Sequence, residues 1–157
     1  MTAHIRIPMM VSRAGALSAL TAVAVGGTVA VPALPQQADA ATVAAKALRV
    51  AASKKGAPYV YGAAGPRRFD CSGLTQYAYK RAGKRLPRTA AAQYNRSRHI
   101  KASARSGGDL VFFHEGGSVY HVGLYAGSGR IWHAPKAGTV VRLERIWTSK
   151  VSYGHVR

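Results

Sequence analysis

Between residues 41 and 55 the apolar side chains Val43, Ala44, Ala47, Leu48, Val50 and Ala51 recur at helical spacing, with Lys46, Arg49 and Lys54 among them. That spacing predicts a short amphipathic helix with cations in its last turn and Gly56 as its stop. Residues 58–66, rich in Gly, Pro and Tyr, predict a loop. A second helix is expected over residues 70–81, ahead of Gly83. A third, short one is expected over residues 90–94, with Thr89 as its N-cap after Pro87. Beyond Gly107-Gly108 the period changes. Asp109-Leu110-Val111-Phe112-Phe113, His121-Val122-Gly123-Leu124-Tyr125 and Arg130-Ile131-Trp132-His133 read as strands joined by glycine-rich turns, and residues 140–143 and 153–157 add two more. Helices followed by an antiparallel sheet of about five strands make an α+β chain.

The first forty residues follow a different pattern. A lightly basic stretch holding Arg6 and Arg13 leads into the apolar run 14–33, which closes at Ala38-Asp39-Ala40. This is the layout of a secretion signal, with cleavage expected after Ala40. A membrane anchor is the alternative, but the run is rich in Ala, Thr and Gly and is followed by Pro32, Pro35 and the small-x-small site. The expected organisation is a signal peptide over 1–40 and one domain over 41–157, large enough for a single core and too small for two.

Charge changes the picture further. The 157 residues carry 23 Lys and Arg against five Asp and Glu, a formal net charge of +18, and removing Arg6, Arg13 and Asp39 with the signal leaves +17. A surface of this sign attracts polyanions. For an exported chain, anionic cell-wall polymers or lipids suit better than nucleic acid, and no specific nucleic-acid partner is expected. The alternative is a solvated basic face with no partner.

One residue is singled out by its solitude. Exported proteins usually pair their cysteines, yet Cys71 is the only one here. At the start of the second helix a thiolate is favoured by free amides and the helix dipole, and thiol pKa values at such places fall to roughly 3.5–7.5. The competing reading is a small buried apolar residue. Histidines discriminate: His121 and His133 flank Ala126-Gly127-Ser128-Gly129. A hairpin centred on Gly127 sets them directly opposite each other on one face, with Cβ atoms about 4.5–5.5 Å apart. That requires an odd-numbered loop, because a two-residue loop would shift the register by one and part the rings. Cys71, His121 and His133 then form a nucleophile, a base and a group that orients the base. A zinc site from Cys71, His121, His133 and His114 is less favoured, since no close ligand pair such as Cys-x-x-Cys is present. Asp70 and Ser72 suit helix capping. Tyr59 and Tyr61 suit either loop packing or a hydroxyl aimed at the nucleophile, and Phe112, Phe113, Trp132 and Trp147 suit core or groove wall. Asp109, Glu115 and Glu144 are scattered singly, which gives no support to paired-carboxylate chemistry.

Taken in order, Pro58-Tyr59-Val60-Tyr61-Gly62, Phe69-Asp70-Cys71-Ser72-Gly73-Leu74, Leu86-Pro87-Arg88-Thr89, Gly108-Asp109-Leu110-Val111-Phe112-Phe113, His121-Val122-Gly123-Leu124-Tyr125 and Ile131-Trp132-His133-Ala134-Pro135 resemble the NlpC family of papain-like cell-wall peptidases across nearly all of residues 41–157. The resemblance implies a papain-like fold with Cys71 as nucleophile, His121 as base and His133 as the orienting member. It also implies that the Tyr59 hydroxyl and the Cys71 amide hold the oxyanion, and that Asp70 and Ser72 line the pocket for the substrate's amino side. The implied activity is hydrolysis of an amide in peptidoglycan stem peptides, the D-γ-glutamyl-diamino acid bond, through a thioester. It would be carried out by a secreted, wall-associated monomer that needs no metal or organic cofactor. Ala63 and Gly107 stand where the family often has glycine and proline, and both affect only loop shape. An amidase or acyl transferase built on the same three residues, or a non-catalytic cationic wall-binding protein, are the alternatives.

Overall fold

The structure, a computed structural model, describes residues 35–157. The expected signal segment, 1–40, therefore lies outside the described residues except for its last six. Three α-helices precede all the strands: α1 (Pro35–Ala52), α2 (Cys71–Ala82) and α3 (Ala90–Arg96). They are followed by β1 (Arg98–Ile100), β2 (Leu110–Glu115), β3 (Ser118–Gly127), β4 (Arg130–His133), β5 (Arg142–Arg145) and β6 (Val151–His155). The strands form one antiparallel sheet in the order β1-β6-β2-β3-β4-β5. This is the α+β arrangement expected, with six strands instead of about five.

The additional strand is β1, an exposed Arg-His-Ile edge that pairs only with β6. It has no buried face, and so no alternation of apolar and polar positions to announce it. α1 begins six residues earlier than its apolar pattern suggests, at Pro35. The fourth expected strand also shifts, from 140–143 to β5. Val140 and Val141 are instead drawn to the loop before α2, where Val140 bridges Pro58 and the Val141 amide donates to the Ala57 carbonyl at 2.8 Å.

The uninterrupted run Leu110-Val111-Phe112-Phe113 is explained by β2 lying inside the sheet with both faces covered, and all four side chains are fully buried. One face carries Leu110, Phe112, Val122 and Leu124 under Ala47 and Ala51 of α1 and Leu74, Ala78 and Tyr79 of α2. The other face packs Val111, Phe113, Tyr125 and Ile131 against Ile146, Val151 and Tyr153. Each such buried Leu, Ile or Phe stabilises the fold by about 1.5–3 kcal/mol before entropy is counted. The consequence for the site is a rigid seat: the first turn of α2 and the middle of β3 are both anchored in the larger core.

Candidate active site

Asp70 fixes the start of α2. It lies in extended backbone at φ −96°, and its Oδ1 accepts the Gly73 amide at 2.7 Å. The same carboxylate accepts the Gly62 amide on Oδ2 at 2.8 Å, and both its oxygens accept from the Arg88 guanidinium. Burial alone would push its pKa up, but Arg88 and the two amides hold the carboxyl below the usual carboxylate range. Arg88 also donates to the Ser72 Oγ at 3.0 Å. Asp70 and Ser72 thus line one lobe of the cleft beside Tyr59, Tyr61 and Arg88, with the Asp70 oxygens already committed to protein donors. Buried Gln93 ties α3 to this turn, accepting from Thr75 Oγ1 at 2.6 Å and donating to the Ser72 carbonyl at 2.9 Å.

Cys71 is therefore the first residue of a firmly capped helix. Gly73 has its amide capped and the Ser72 amide is turned to the Cys71 sulfur, while the Cys71 amide has no intrahelical acceptor. The setting does not depress the thiol as its place at the helix start suggests. Burial pushes the Cys71 thiol up and the neighbouring Asp70 carboxylate adds to the rise, while the backbone amides of Val122 and Ser72 pull in the opposite direction without winning. The sulfur therefore rests as a neutral thiol. Alkylation of Cys71 by iodoacetamide should accelerate with pH up to the alkaline range, since only the thiolate reacts. A rate that levels off below about pH 6 would contradict this and point to a standing thiolate.

The histidines meet by a route the sequence pattern did not supply. The β3–β4 turn has two residues, Ser128 at φ 51° and Gly129 at φ 67°, closed by the pair Gly127 and Arg130. By itself that loop would part the rings. An extra residue on β3 between Tyr125 and Gly127 restores the parity, so the register becomes Tyr125 to Ile131 and Leu124 to Trp132. His133 consequently sits next to Gly123, not His121. A Cβ on Gly123 would come 3.2 Å from the His133 Cβ, and its absence leaves room for the His133 ring to lean diagonally. His121 Nε2 and His133 Nδ1 are hydrogen-bonded at 2.9 Å.

Beyond this pair lies a residue the sequence reading passed over. His133 Nε2 is 2.9 Å from Glu144 Oε2, which also accepts from Arg142 Nε at 2.9 Å. β5 places Arg142 opposite His133 and Glu144 opposite Ile131, so both face the histidines. The alternation Arg142-Leu143-Glu144 carried that signal, but only once the β4–β5 register is known. Trp147 completes the wall: its ring centroid is 5.8 Å from that of His121 and 5.4 Å from that of His133, and it stacks on Phe113 at 4.2 Å. Burial drives the His121 pKa down to about 3, with the His133 charge lowering it further and Glu144 opposing. Burial likewise lowers His133, against the pull of Glu144.

Cys71, Tyr59, His121, His133 and Glu144 line one cleft of about 400 Å³. The Val122 amide that favours a charged sulfur follows His121 directly, so β3 brings its histidine alongside the first turn of α2. His114 is elsewhere, hydrogen-bonded to Ser152 Oγ at 2.7 Å, and no metal-binding cluster of three His, Cys, Asp or Glu side chains exists among the described residues.

The chain is similar in sequence and in fold to known proteins. The chain is 42% identical over 104 residues to a probable endopeptidase of Corynebacterium glutamicum, covering 66% of this chain and 49% of that protein. It is 40% identical over 95 residues to the bifunctional muramidase/DL-endopeptidase CwlT of Bacillus subtilis, covering 58% and 29%. The chain thus spans half or less of the length of these curated relatives. Among solved structures, the peptidoglycan hydrolase RipB of Mycobacterium tuberculosis matches with a TM-score of 0.67 at 30% identity, over 76% of this chain and 67% of that one. The P60 domain of an antigen from M. avium subspecies paratuberculosis matches with a TM-score of 0.67 at 28% identity, over 74% and 96%. The fold is accordingly papain-like. A family model matches residues 56–155, a span that takes in the Cys71 turn and both histidine strands, and the chain belongs to the NlpC/P60 family.

Proposed function

We propose that the protein is a secreted cysteine peptidase that hydrolyses peptidoglycan stem peptides at the bond between D-γ-glutamyl and a diamino acid. The observation that carries this reading is the hydrogen-bonded pair of His121 and His133 in the cleft that Cys71 lines. The substrate class rests on relatives named as a DL-endopeptidase and a peptidoglycan hydrolase.

In the resting site both reacting groups are neutral. His121 Nε2 is engaged by His133, which leaves Nδ1 to receive the Cys71 proton. As the Sγ–C bond forms at the scissile carbonyl, that proton moves to Nδ1 and the carbonyl oxygen takes up negative charge. The free Cys71 amide and the Tyr59 hydroxyl are the donors for that oxygen, each worth about 2.7–4 kcal/mol in chemistry of this kind. The tetrahedral species collapses as Nδ1 returns its proton to the leaving amine, giving a thioester. Water then adds to the thioester, losing a proton to Nδ1, and that proton returns to Sγ as the acid departs. Side chains perform every step, with no metal or organic cofactor required.

Three of the four acids in residues 41–157 are turned to internal partners: Asp70 to Arg88, Asp109 to His155 and Glu144 to Arg142. Only Glu115 is left to offset a strongly basic surface, which supports docking on anionic wall polymers.

Digestion of a defined muropeptide, read by mass spectrometry, should yield one new amino group on the diamino acid and one new γ-carboxyl on D-glutamate. Cleavage between sugar and peptide would indicate an amidase, and transfer to an added amine would indicate an acyl transferase. Salt-sensitive wall binding without any product would leave a binding protein.

A further inference from the structure

We propose that Glu144, held by Arg142, is a positioning residue that fixes the tautomers of both histidines and so keeps Nδ1 of His121 unprotonated toward Cys71. The inference rests on the reading of Cys71 and His121 given above.

The argument is a count of protons along a row of atoms. Two neutral imidazoles joined Nε2 to Nδ1 can share their hydrogen bond in either of two ways. In the first, His121 Nε2–H donates to His133 Nδ1, and His133 carries its only proton on Nε2. In the second, His133 Nδ1–H donates to His121 Nε2, and His121 carries its proton on Nδ1. The ring-to-ring bond is equally good in both. Only the first leaves His121 with a lone pair for the thiol proton.

Glu144 distinguishes them. Its Oε2 lies 2.9 Å from His133 Nε2, and Arg142 donates to the same oxygen. The Arg142 hydrogen bond holds the Glu144 carboxyl below its ordinary range against the opposing effect of burial, and His133 lowers it further, so it is ionised at neutral pH. A carboxylate can only accept. The second arrangement would press a nitrogen lone pair against it at 2.9 Å, on a ring that is itself 1% exposed. The first gives Nε2–H an acceptor. Glu144 therefore selects the productive tautomer two rings away from the sulfur. When His121 takes the thiol proton, the same carboxylate favours the resulting positive charge through His133.

An ordinary surface ion pair between Arg142 and Glu144 is the competing account, and both side chains are partly exposed. It explains the contact to Arg142 but assigns nothing to the contact with the buried ring. It also predicts no change at His121 when Glu144 is replaced.

The test is long-range proton–nitrogen correlation spectra of the imidazoles in the full protein, together with kcat and KM on a defined muropeptide. Wild type should show both rings protonated on Nε2. Glu144→Ala should show a mixture, with His121 Nδ1–H appearing, and kcat should fall about ten- to a hundredfold while KM stays within about twofold. Glu144→Gln keeps an oxygen for His133 and Arg142, so it should restore the tautomer and part of the rate. An unchanged His121 tautomer in Glu144→Ala, or a loss confined to KM, overturns the proposal. If wild type cleaves nothing and the tautomers still shift in Glu144→Ala, the peptidase reading fails and the ring assignment stands.

Discussion

Cys71→Ala is expected to eliminate cleavage of a defined muropeptide, with a fall in kcat of about four powers of ten or more, while the melting temperature stays close to that of wild type. The asymmetry follows from what the sulfur does and does not hold in place. The helix start depends on Asp70, through the Gly73 amide, and on Arg88 and Gln93. Cys71 itself bridges nothing and is a free thiol. Cys71→Ser should be almost as inactive, because a hydroxyl gives up its proton far less readily than a thiol and His121, with a pKa near 3, is a weak base. Measuring new termini with each variant beside a thermal melt decides the matter. Digestion by Cys71→Ala at the wild-type rate would remove the nucleophile from the mechanism.

Gly73→Ala is expected to be the most damaging change that removes no reacting group. Helix propensity alone predicts a gain of about 1 kcal/mol. Packing outweighs it. A Cβ at this position would lie 2.1 Å from the Ala63 carbonyl oxygen, 2.9 Å from the Ala64 Cα and 3.0 Å from the Ala63 carbonyl carbon. All three are backbone atoms, so no side chain can swing aside. The loop is itself pinned, since the Ala63 carbonyl accepts from the Asp70 amide at 2.9 Å, the Ala63 amide donates to the Val60 carbonyl at 3.0 Å and the Gly62 amide donates to Asp70 Oδ2. Either the helix or the loop that carries Tyr59 must move. Overpacking of this kind costs about 3 kcal/mol, and for a domain of this size that lowers the melting temperature by roughly 10 °C. The cleavage rate should fall as well, because Tyr59 is displaced from the cleft. A variant that melts at the wild-type temperature with full activity would show that the contact relaxes freely.

What the sequence disclosed and what it withheld divide along one physical line. α2 was legible to within a residue because both its ends are local chemistry: Asp70 caps the first turn, and Gly83 at φ 99° ends it. β2 was legible because burial on both faces leaves a continuous apolar run. β1 was not, because an exposed edge strand has no pattern beyond its pairing with β6. The histidine pair is the most instructive case. An odd loop predicts the same-face placement, yet it arises from an even turn plus one bulged residue, which recovers the face but sets His133 opposite Gly123 instead of directly opposite His121. Glu144 was read as a stray acid because its role depends on β4–β5 pairing, which a single chain does not encode locally. The raised Cys71 thiol escaped for a similar reason. A helix start can be read from sequence, whereas the loss of solvent that outweighs it belongs to the assembled cleft.

The bulge in β3 has a consequence for how this enzyme-like site can vary. Chain length between the two imidazoles is a chemical parameter in its own right. A side chain at the turn can be exchanged with little effect on the reaction centre, but one residue lost there turns His133 to the opposite side of the pleat from His121. The frame in which the hairpin is counted is as much a part of the machinery as the rings it brings together.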